Sequence, residues 1–343
     1  MIKAAIIGMG WWGKTLVDSV QGKSGQDKSD AILFTAGATR TREKAADYAV
    51  KVGIDLRDSY EAVLADPDID AVVLATPHLD HARQIEMAAQ AGKHVFVEKP
   101  FTMTRASAVE AVNAVNAAGV TLGLGHNRRF HPNMARLRDM VRGGELGTIL
   151  HCDGAMGAPS GLFLPKGVWR TDPEQSPAGG MTGLGVHIID GMIDLFGEIE
   201  TVACQSVHRA APSGLPDTTS VLLRFASGQT GSLLAMTTTA PTYRFCVYGS
   251  KGTAEITSPS LDRLVFSPAP DAPASAKPAP KQQVEHEVKN FDTVRAELEA
   301  FARAVEGGPA FPITHDQMIH GVAVLQAIVE ASGQDRFVTV DRG

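Results

Sequence analysis

The sequence predicts two domains, an α/β domain with a doubly wound parallel sheet and then an α+β domain with a mostly antiparallel sheet. Three observations support this prediction. An apolar run at the start of the chain ends in a glycine-rich loop. Strand and helix patterns alternate as far as residue 125, whereas beyond residue 200 several strand patterns follow one another without helices. The length of 343 residues agrees with two domains of about 150 residues each.

The glycine-rich loop follows an apolar strand at residues 2–7 and precedes a helical pattern that begins at Lys14. Its residues are Gly8-Met9-Gly10-Trp11-Trp12-Gly13. The first glycine permits a tight turn, the second lets the backbone approach a pyrophosphate, and the third lets the helix pack on the strand. Because the helix start also directs free N–H groups at phosphates, we expect this loop to bind a dinucleotide. A glycine-rich turn without a ligand is the alternative interpretation.

The strands of the first domain carry polar residues at their carboxyl ends. Strand patterns occur at 31–38, 71–75, 94–97 and 121–125, and helical patterns at 60–65, 82–91 and 106–118. Alternation of this kind predicts right-handed crossovers and a parallel sheet, whose ligands bind at the carboxyl ends of the strands. The residues predicted at this edge are Thr39, Thr76-Pro77-His78, Glu98-Lys99-Pro100 and His126-Asn127-Arg128.

The end of the second strand indicates which nicotinamide cofactor is used. NAD enzymes place an acidic residue here to bind the ribose 2′-hydroxyl. This chain instead has Thr39 followed by Arg40, with Arg42 two residues later. An arginine can bind a 2′-phosphate that a carboxylate would repel. We therefore favour NADP over NAD, and solvent-exposed charges at a helix start are the alternative interpretation.

The second half of the chain has a different pattern. A strand is predicted over 148–155 and a helix over 179–196. Strands then follow at 201–207, 220–225, 231–237, 243–248, 254–257 and 261–266. This succession predicts an antiparallel meander, followed by a Pro/Ala-rich loop over 267–281, helices over 292–305 and 315–331, and a closing strand over 337–340. We place the domains at residues 1–125 and 126–343.

Composition excludes several classes of protein. The net charge of −6 offers no broad basic surface to nucleic acid or to anionic membranes. No apolar run approaches the roughly 20 residues that span a bilayer, and we see no signal peptide. The three cysteines are widely spaced and predict neither a disulfide framework nor a zinc site. We expect a cytoplasmic protein without a bound metal.

Six motifs together resemble the Gfo/Idh/MocA family, the relatives of glucose-fructose oxidoreductase and inositol dehydrogenase. They are Gly8-x-Gly10-x-x-Gly13, Ala75-Thr76-Pro77-His78-x-x-His81, Glu98-Lys99-Pro100, Asn127-Arg128-Arg129-Phe130, Gly185-Val186-His187-x-x-Asp190 and Tyr248-Gly249-Ser250-Lys251-Gly252. The resemblance covers nearly the whole chain. It implies an N-terminal Rossmann domain and a C-terminal open-faced sheet for substrate binding and oligomerisation, as a homodimer or homotetramer. It also implies NAD(P)-dependent oxidation or reduction of a sugar, cyclitol or related polyol.

Lys99 is the first predicted catalytic residue. It follows a strand at its carboxyl end, and its ammonium could hydrogen-bond the reacting oxygen of a polyol. His187 is the second, because the resemblance places it at the family's general acid/base position. Asp190 is three residues further along a helical pattern, so it shares a face with His187 and is predicted as its partner.

The resemblance also implies the remaining contacts. Around the cofactor, besides the glycine loop, Thr39 and Arg40, it places Ala75, Thr76, Pro77, His78, His81, Glu98, Lys99 and Asn127. Around the substrate it places Lys99, Asn127, Trp169, Arg170 and His187. The chain departs from the family at one position, because many members have an aspartate four residues before the histidine and this chain has Gly183.

Two other functions remain open. One keeps the fold but uses NAD only transiently, as family members that cleave glycosidic bonds do. The other is a non-catalytic regulator that senses a nucleotide. Lys99 and His187 argue against a regulator, whereas Gly183 argues weakly for one.

Overall fold

The computed structural model describes residues 1–22, 27–270 and 281–343, which form two compact units. The first unit consists of Met1–Asn127 and Asp292–Val322, and the second of Arg128–Phe291 and Ala323–Gly343. The sequence analysis assigned every residue after 125 to the second domain, so the structure differs for Asp292–Val322.

This segment returns to the first unit because its apolar face packs on the parallel sheet. The ring of Phe301 lies 5.6 Å from that of Phe96, between centroids. Gly123 provides the space for both rings, since a Cβ there would lie 2.9 Å from each of them. A contact between positions so far apart in the sequence leaves no local pattern to predict it.

The sheet of the first unit is fully parallel and has the strand order β3-β2-β1-β4-β5-β6. Its strands are β1 (Ile2–Ile7), β2 (Ile32–Ala38), β3 (Asp55–Leu56), β4 (Ala71–Leu74), β5 (His94–Glu98) and β6 (Leu122–Gly125). This is the doubly wound order of dinucleotide-binding domains. It confirms the predicted α/β Rossmann class.

Helices accompany both sheets. In chain order they are α1 (Trp11–Gln21), α2 (Ala46–Val52), α3 (Tyr60–Leu64), α4 (His81–Gln90), α5 (Arg105–Ala118), α6 (Pro132–Arg142), α7 (Ser160–Phe163), α8 (Val186–Phe196), α9 (Thr293–Val305) and α10 (His315–Ala331). One turn of π-helix, Met181–Gly185, directly precedes α8. Within the described residues, no helix is both long enough and apolar enough to span a membrane.

The second unit contains a nine-stranded sheet in the order β14-β13-β12-β11-β7-β10-β9-β8-β15. Its strands are β7 (Ile149–Gly157), β8 (Ile199–Val207), β9 (Thr218–Phe225), β10 (Thr230–Met236), β11 (Thr242–Gly249), β12 (Gly252–Thr257), β13 (Arg263–Pro268), β14 (Val284–Glu287) and β15 (Val338–Thr339). The mostly antiparallel α+β prediction is confirmed. Of the Pro/Ala-rich loop predicted over 267–281, residues 271–280 lie outside the described residues, and its first two residues belong to β13.

The predicted simple meander is wrong at one place in this sheet. β7 lies between β10 and β11, parallel to β10 and antiparallel to β11. The connection between β10 and β11 therefore has to pass the end of β7. Gly157 makes room for it, since a Cβ there would lie 2.7 Å from Cγ2 of Thr239.

The two faces of this sheet have different surroundings. On one face, α8 packs closely, because a Cβ on Gly154 of β7 would lie only 2.2 Å from Cγ2 of Ile188. On the other face of β9, Ser220, Leu222 and Arg224 are exposed, whereas the residues between them are buried. Alternation of this kind describes a strand with one face in the core and one in solvent.

Candidate active site

The glycine loop has the geometry that a dinucleotide requires. Gly8 has a φ of 91°, and a Cβ there would lie 2.5 Å from the carbonyl oxygen of Ala75. A Cβ on Gly13 would lie 2.0 Å from the carbonyl oxygen of Gly8, so this glycine allows the close packing of α1. Gly10, in contrast, has no atom within 4 Å of a built Cβ, which leaves its backbone open to a ligand.

The start of α1 is available to an anion. Gly10 is its N-cap and supplies no side-chain hydrogen bond to the first N–H groups, and the first turn contains no acidic residue. These N–H groups and the positive end of the helix dipole together favour a phosphate. Trp11 is 77% exposed beside them, its ring 5.3 Å from that of Trp12, and Met9 is buried. The loop therefore fits the pyrophosphate that the sequence predicted.

The two arginines after β2 have different environments. Arg42 binds Asp58 and also donates to the carbonyl oxygen of Leu56 at 3.0 Å. Arg40 is exposed, and Thr39 beside it is half-buried. Because a carboxylate already neutralises Arg42, Arg40 is the better candidate for a 2′-phosphate.

The end of β4 is fixed by buried polar contacts. The ring of His81 is fully buried and lies within hydrogen-bond distance of the carbonyl oxygens of Pro100 and Thr76, at 2.9 and 3.2 Å. Burial lowers the pKa of His81, which favours the neutral ring. The side chain of Thr76 donates to Gln84 at 2.5 Å, and His78 is half-buried. His81 therefore connects the residues that follow β4 and β5, and its contact with the cofactor stays a prediction.

Glu98 and Lys99 lie at the end of β5. Glu98 is 5% exposed, and its Oε2 accepts the backbone N–H of Lys99 at 3.3 Å. Burial raises the pKa of this carboxyl group to about 7, although the positive charge of Lys99 and the indole of Trp12 lower it. Lys99 itself is half-buried. Asn127, after β6, donates to Oγ1 of Thr293 at 2.7 Å.

Two candidate positions of the second unit lie at the start of α8. His187 occupies its first turn and is half-buried. Gly183 lies in the π-helical turn before it, and a Cβ built there has no atom within 4 Å. Trp169 and Arg170 form a separate 3₁₀ turn, in which the guanidinium lies 4.1 Å from the centre of the Trp169 ring.

Asp190 makes a contact that the sequence analysis did not predict. Its two carboxylate oxygens accept hydrogen bonds from Nε and Nη2 of Arg129, at 3.0 and 2.6 Å. Arg129 also lies 3.5 Å from Asp194, which binds Arg138 at 2.9 Å. The partner predicted for His187 is thus part of a buried ion pair that joins α8 to the chain segment preceding α6.

The signal for this ion pair was present in the sequence but ambiguous. Two arginines stand together at 128 and 129, and two aspartates lie four residues apart in α8, on one helix face. Nothing in that spacing says which arginine is buried beneath the helix.

In the ranges that the structure describes, no group of three or more His, Cys, Asp or Glu residues could hold a metal ion.

Comparisons with known proteins give the family. Residues 2–126 match the profile of an oxidoreductase family with an NAD-binding Rossmann fold, and residues 134–255 match the GFO/IDH/MocA C-terminal domain. A 1,5-anhydro-D-fructose reductase of Ensifer adhaerens is 28% identical over 326 residues, which cover 91% of this chain and 94% of that protein. A D-xylose 1-dehydrogenase (NADP(+)) of Haloferax volcanii is 29% identical over 308 residues, covering 89% and 91% respectively.

Solved structures agree with this family at the level of the fold. Levoglucosan dehydrogenase, in a complex with NADH and levoglucosan, superposes with a TM-score of 0.86 at 22% identity and covers 100% of both chains. A putative NADPH-dependent oxidoreductase of Desulfitobacterium hafniense gives a TM-score of 0.87 at 24% identity, covering 99% of this chain and 97% of that one. The chain therefore belongs to the Gfo/Idh/MocA family of oxidoreductases, with an NAD-binding Rossmann domain and the C-terminal domain of that family.

Proposed function

We propose that the protein is an NADP-dependent oxidoreductase that interconverts a hydroxyl and a carbonyl group on a sugar, cyclitol or related polyol. One observation carries most of the argument. Within a single unit, an uncapped helix start and an open Gly10 face the same sheet edge at which Lys99 follows β5. The relatives named as an anhydrofructose reductase and a xylose dehydrogenase indicate the substrate class.

The roles of the residues follow from the chemistry of this reaction. The bound nicotinamide supplies the group that accepts or donates a hydride. We assign to Lys99 a hydrogen bond to the reacting oxygen and to His187 the transfer of its proton. Asn127, Trp169 and Arg170 are assigned to the substrate.

The preference for NADP rests on the surroundings of Arg40. This side chain is exposed, whereas Arg42 is bound to Asp58. A 2′-phosphate would gain a charge-assisted hydrogen bond from Arg40 without breaking an existing ion pair. The xylose dehydrogenase relative is named as an NADP(+) enzyme, whereas levoglucosan dehydrogenase is described with NADH.

We also propose a homodimer or homotetramer in which a second copy covers the solvent face of the nine-stranded sheet. This face carries apolar as well as charged side chains. Leu222 is 59% exposed, and Arg244 binds both Asp153 and Glu255 nearby. A monomer at micromolar concentration by light scattering would contradict the proposal. The three cysteines are buried free thiols, which fits a reducing location such as the cytoplasm.

A dehydrogenase screen tests the function. Sugars, cyclitols and their keto forms are each supplied with NADP(H) and with NAD(H), and the change in reduced cofactor is followed. We expect net turnover of at least one compound, and faster turnover with NADP(H). Cleavage of a glycoside without net reduced cofactor would instead favour transient use of NAD. Cofactor binding without turnover of any compound would favour a nucleotide-sensing regulator.

A further inference from the structure

The carboxyl group of Glu98 is buried among few hydrogen-bond donors. An ionised carboxylate can accept about four hydrogen bonds. Here Oε2 receives one long hydrogen bond, from the Lys99 backbone at 3.3 Å, and Oε1 is buried without a well-formed one among the described residues. Burial of a charge with so little compensation is costly, so the position requires an explanation.

The surrounding backbone holds this carboxyl group in place. β6 runs alongside β5, and a Cβ on Gly125 would lie 2.7 Å from Oε1 and 3.0 Å from Oε2 of Glu98. Only a glycine permits this approach, so the carboxyl group rests against the Cα of Gly125. The side chain therefore has little freedom to turn towards water.

The indole of Trp12 connects Glu98 to the glycine loop. Its Nε1 is buried and makes no hydrogen bond of good geometry with the described residues, yet it lies near enough to the carboxyl group to favour the ionised form. Trp12 lies in the first turn of α1, between Gly10 and Gly13. A change of charge on Glu98 therefore changes the electrostatic environment of Trp12, which belongs to the loop assigned to the pyrophosphate.

Lys99 is the charged group that acts on Glu98, and it favours the ionised carboxylate. The interaction is mutual, so an ionised Glu98 in turn favours the charged ammonium. Two histidines lie on neighbouring segments, with His126 directly after Gly125 of β6 and His81 at the start of α4. His81 is fully buried, and its low pKa favours the uncharged ring.

We propose that Glu98 is a positioning residue that couples Lys99 to the glycine loop through Trp12, and that protonation of Glu98 weakens the electrostatic support of the Lys99 ammonium. The proposal rests on the catalytic role assigned to Lys99. When Glu98 is ionised, it stabilises the charged lysine that is assigned to the reacting oxygen. Burial raises the pKa of Glu98 to about 7, so the carboxyl group gains or loses its proton near neutral pH.

The test uses the fluorescence of Trp12. The chain has three tryptophans, so a full-length variant with Trp11→Phe and Trp169→Phe retains only Trp12. Its emission is recorded from pH 5 to pH 9, without substrate. We expect a single transition with a midpoint near pH 7. Adding Glu98→Gln should abolish the transition and fix the emission at the value of the low-pH form.

A second pair of variants tests the coupling to Lys99. Lys99→Met removes the ammonium and keeps the apolar stem, so the midpoint of the Trp12 transition should rise by on the order of one pH unit. Lys51→Met, an exposed lysine on α2, serves as the control and should leave the midpoint unchanged. If the background variant folds poorly, difference spectra of the same substitutions in the wild-type chain give the same comparison.

These readouts separate the proposal from the proposed function. A transition that persists in Glu98→Gln, or a midpoint that does not move in Lys99→Met, would overturn the coupling whatever the substrate. If both behave as expected and no polyol is turned over, the coupling stands and the proposed function fails. With an identified substrate, Glu98→Gln should also remove the limb near pH 7 from the kcat profile.

Discussion

Two carboxylates accompany the two predicted catalytic residues, and their environments are opposite. Glu98 directly precedes Lys99 in the first unit, and Asp190 follows His187 by three residues in the second. Their exposures are nearly equal, at 5% and 7%. Asp190 receives two charge-assisted hydrogen bonds from Arg129, at 3.0 and 2.6 Å, whereas Glu98 receives one long bond from a backbone N–H.

The comparison shows that burial alone does not decide what an acidic side chain does. Burial lowers the pKa of Arg129, but Asp190 and Asp194 outweigh that effect and raise it. At Glu98, burial outweighs the smaller effects of Lys99 and Trp12 and raises the pKa. Asp190 is therefore held by a buried guanidinium, whereas burial brings the pKa of Glu98 close to neutral pH.

The largest effect on stability is expected for Asp190→Asn. Removing one partner of a buried ion pair costs about 3–5 kcal/mol of the free energy of unfolding, and the low end of this range is expected because Asp194 remains 3.5 Å from Arg129. Urea denaturation measures this loss. Asp153→Asn is the control, because its pair with Arg244 is one-third exposed and should contribute less than about 1 kcal/mol.

The same variant tests the role that the sequence predicted for Asp190. If this residue serves the ion pair, the folded fraction of Asp190→Asn should keep kcat within a few-fold of the wild type. A loss of kcat as large as that of His187→Ala, with stability preserved, would instead support a partnership with His187.

Glu98→Gln should change how stability depends on pH. The folded-state pKa of about 7 lies above the ordinary value of 4.5, so folding is favoured by the proton. This contribution is fully present below about pH 4.5 and is lost as the pH rises to about 7. At pH 8 the buried, ionised Glu98 lowers the free energy of unfolding of the wild type by up to about 3 kcal/mol, and the variant lacks this destabilisation. Thermal melting at pH 5 and pH 8 measures it, and a difference between variant and wild type that is equal at both values would contradict the expectation.

Arg40→Ala should weaken the binding of NADPH but not of NADH. One charge-assisted contact to a phosphate contributes on the order of 1–3 kcal/mol, or about 5- to 150-fold in Kd. Arg42→Ala is the matched control, because its guanidinium already binds Asp58, and it should change neither affinity appreciably. Equal affinities of the wild type for the two cofactors would refute the preference.

The smallest effect on stability is expected for Gly183→Asp. A side chain here meets no atom within 4 Å of its Cβ, and the backbone does not require a glycine. The free energy of unfolding should change by less than about 1 kcal/mol. If the new carboxylate lies near His187, the acid limb of the kcat profile should move to higher pH. Unfolding of the variant would show that the position has no room for an acid.

The sequence predicted the fold well where the evidence was local. The glycine loop and the alternation before residue 125 predicted the parallel sheet, and the strand run after residue 200 predicted a second, mostly antiparallel sheet. The insertion of β7 between β10 and β11 was not predicted, because strand patterns contain no information on pairing order. The return of Asp292–Val322 to the first unit was missed for a similar reason, since it depends on the packing of Phe301 against Phe96.

The candidate site was predicted in part. Spacing placed Asp190 and His187 on one helix face, but it did not identify Arg129 as the residue that binds the carboxylate. Glu98 was predicted only as a cofactor contact. The structure places Gly125 and Trp12 beside its carboxyl group and shows that few hydrogen-bond donors reach it. Helical and strand periodicity identify neighbours along one element, whereas these contacts join different elements.

The most direct test of the account is the turnover of Lys99→Ala and His187→Ala on the substrate that the screen identifies. A residue that assists proton transfer or stabilises the reacting oxygen typically contributes about 10²–10⁴-fold. Each variant should therefore lose kcat by that order while its Kd for NADPH and its Tm stay close to those of the wild type. Near-wild-type kcat in both variants would contradict the assignment of the chemical step to these two residues.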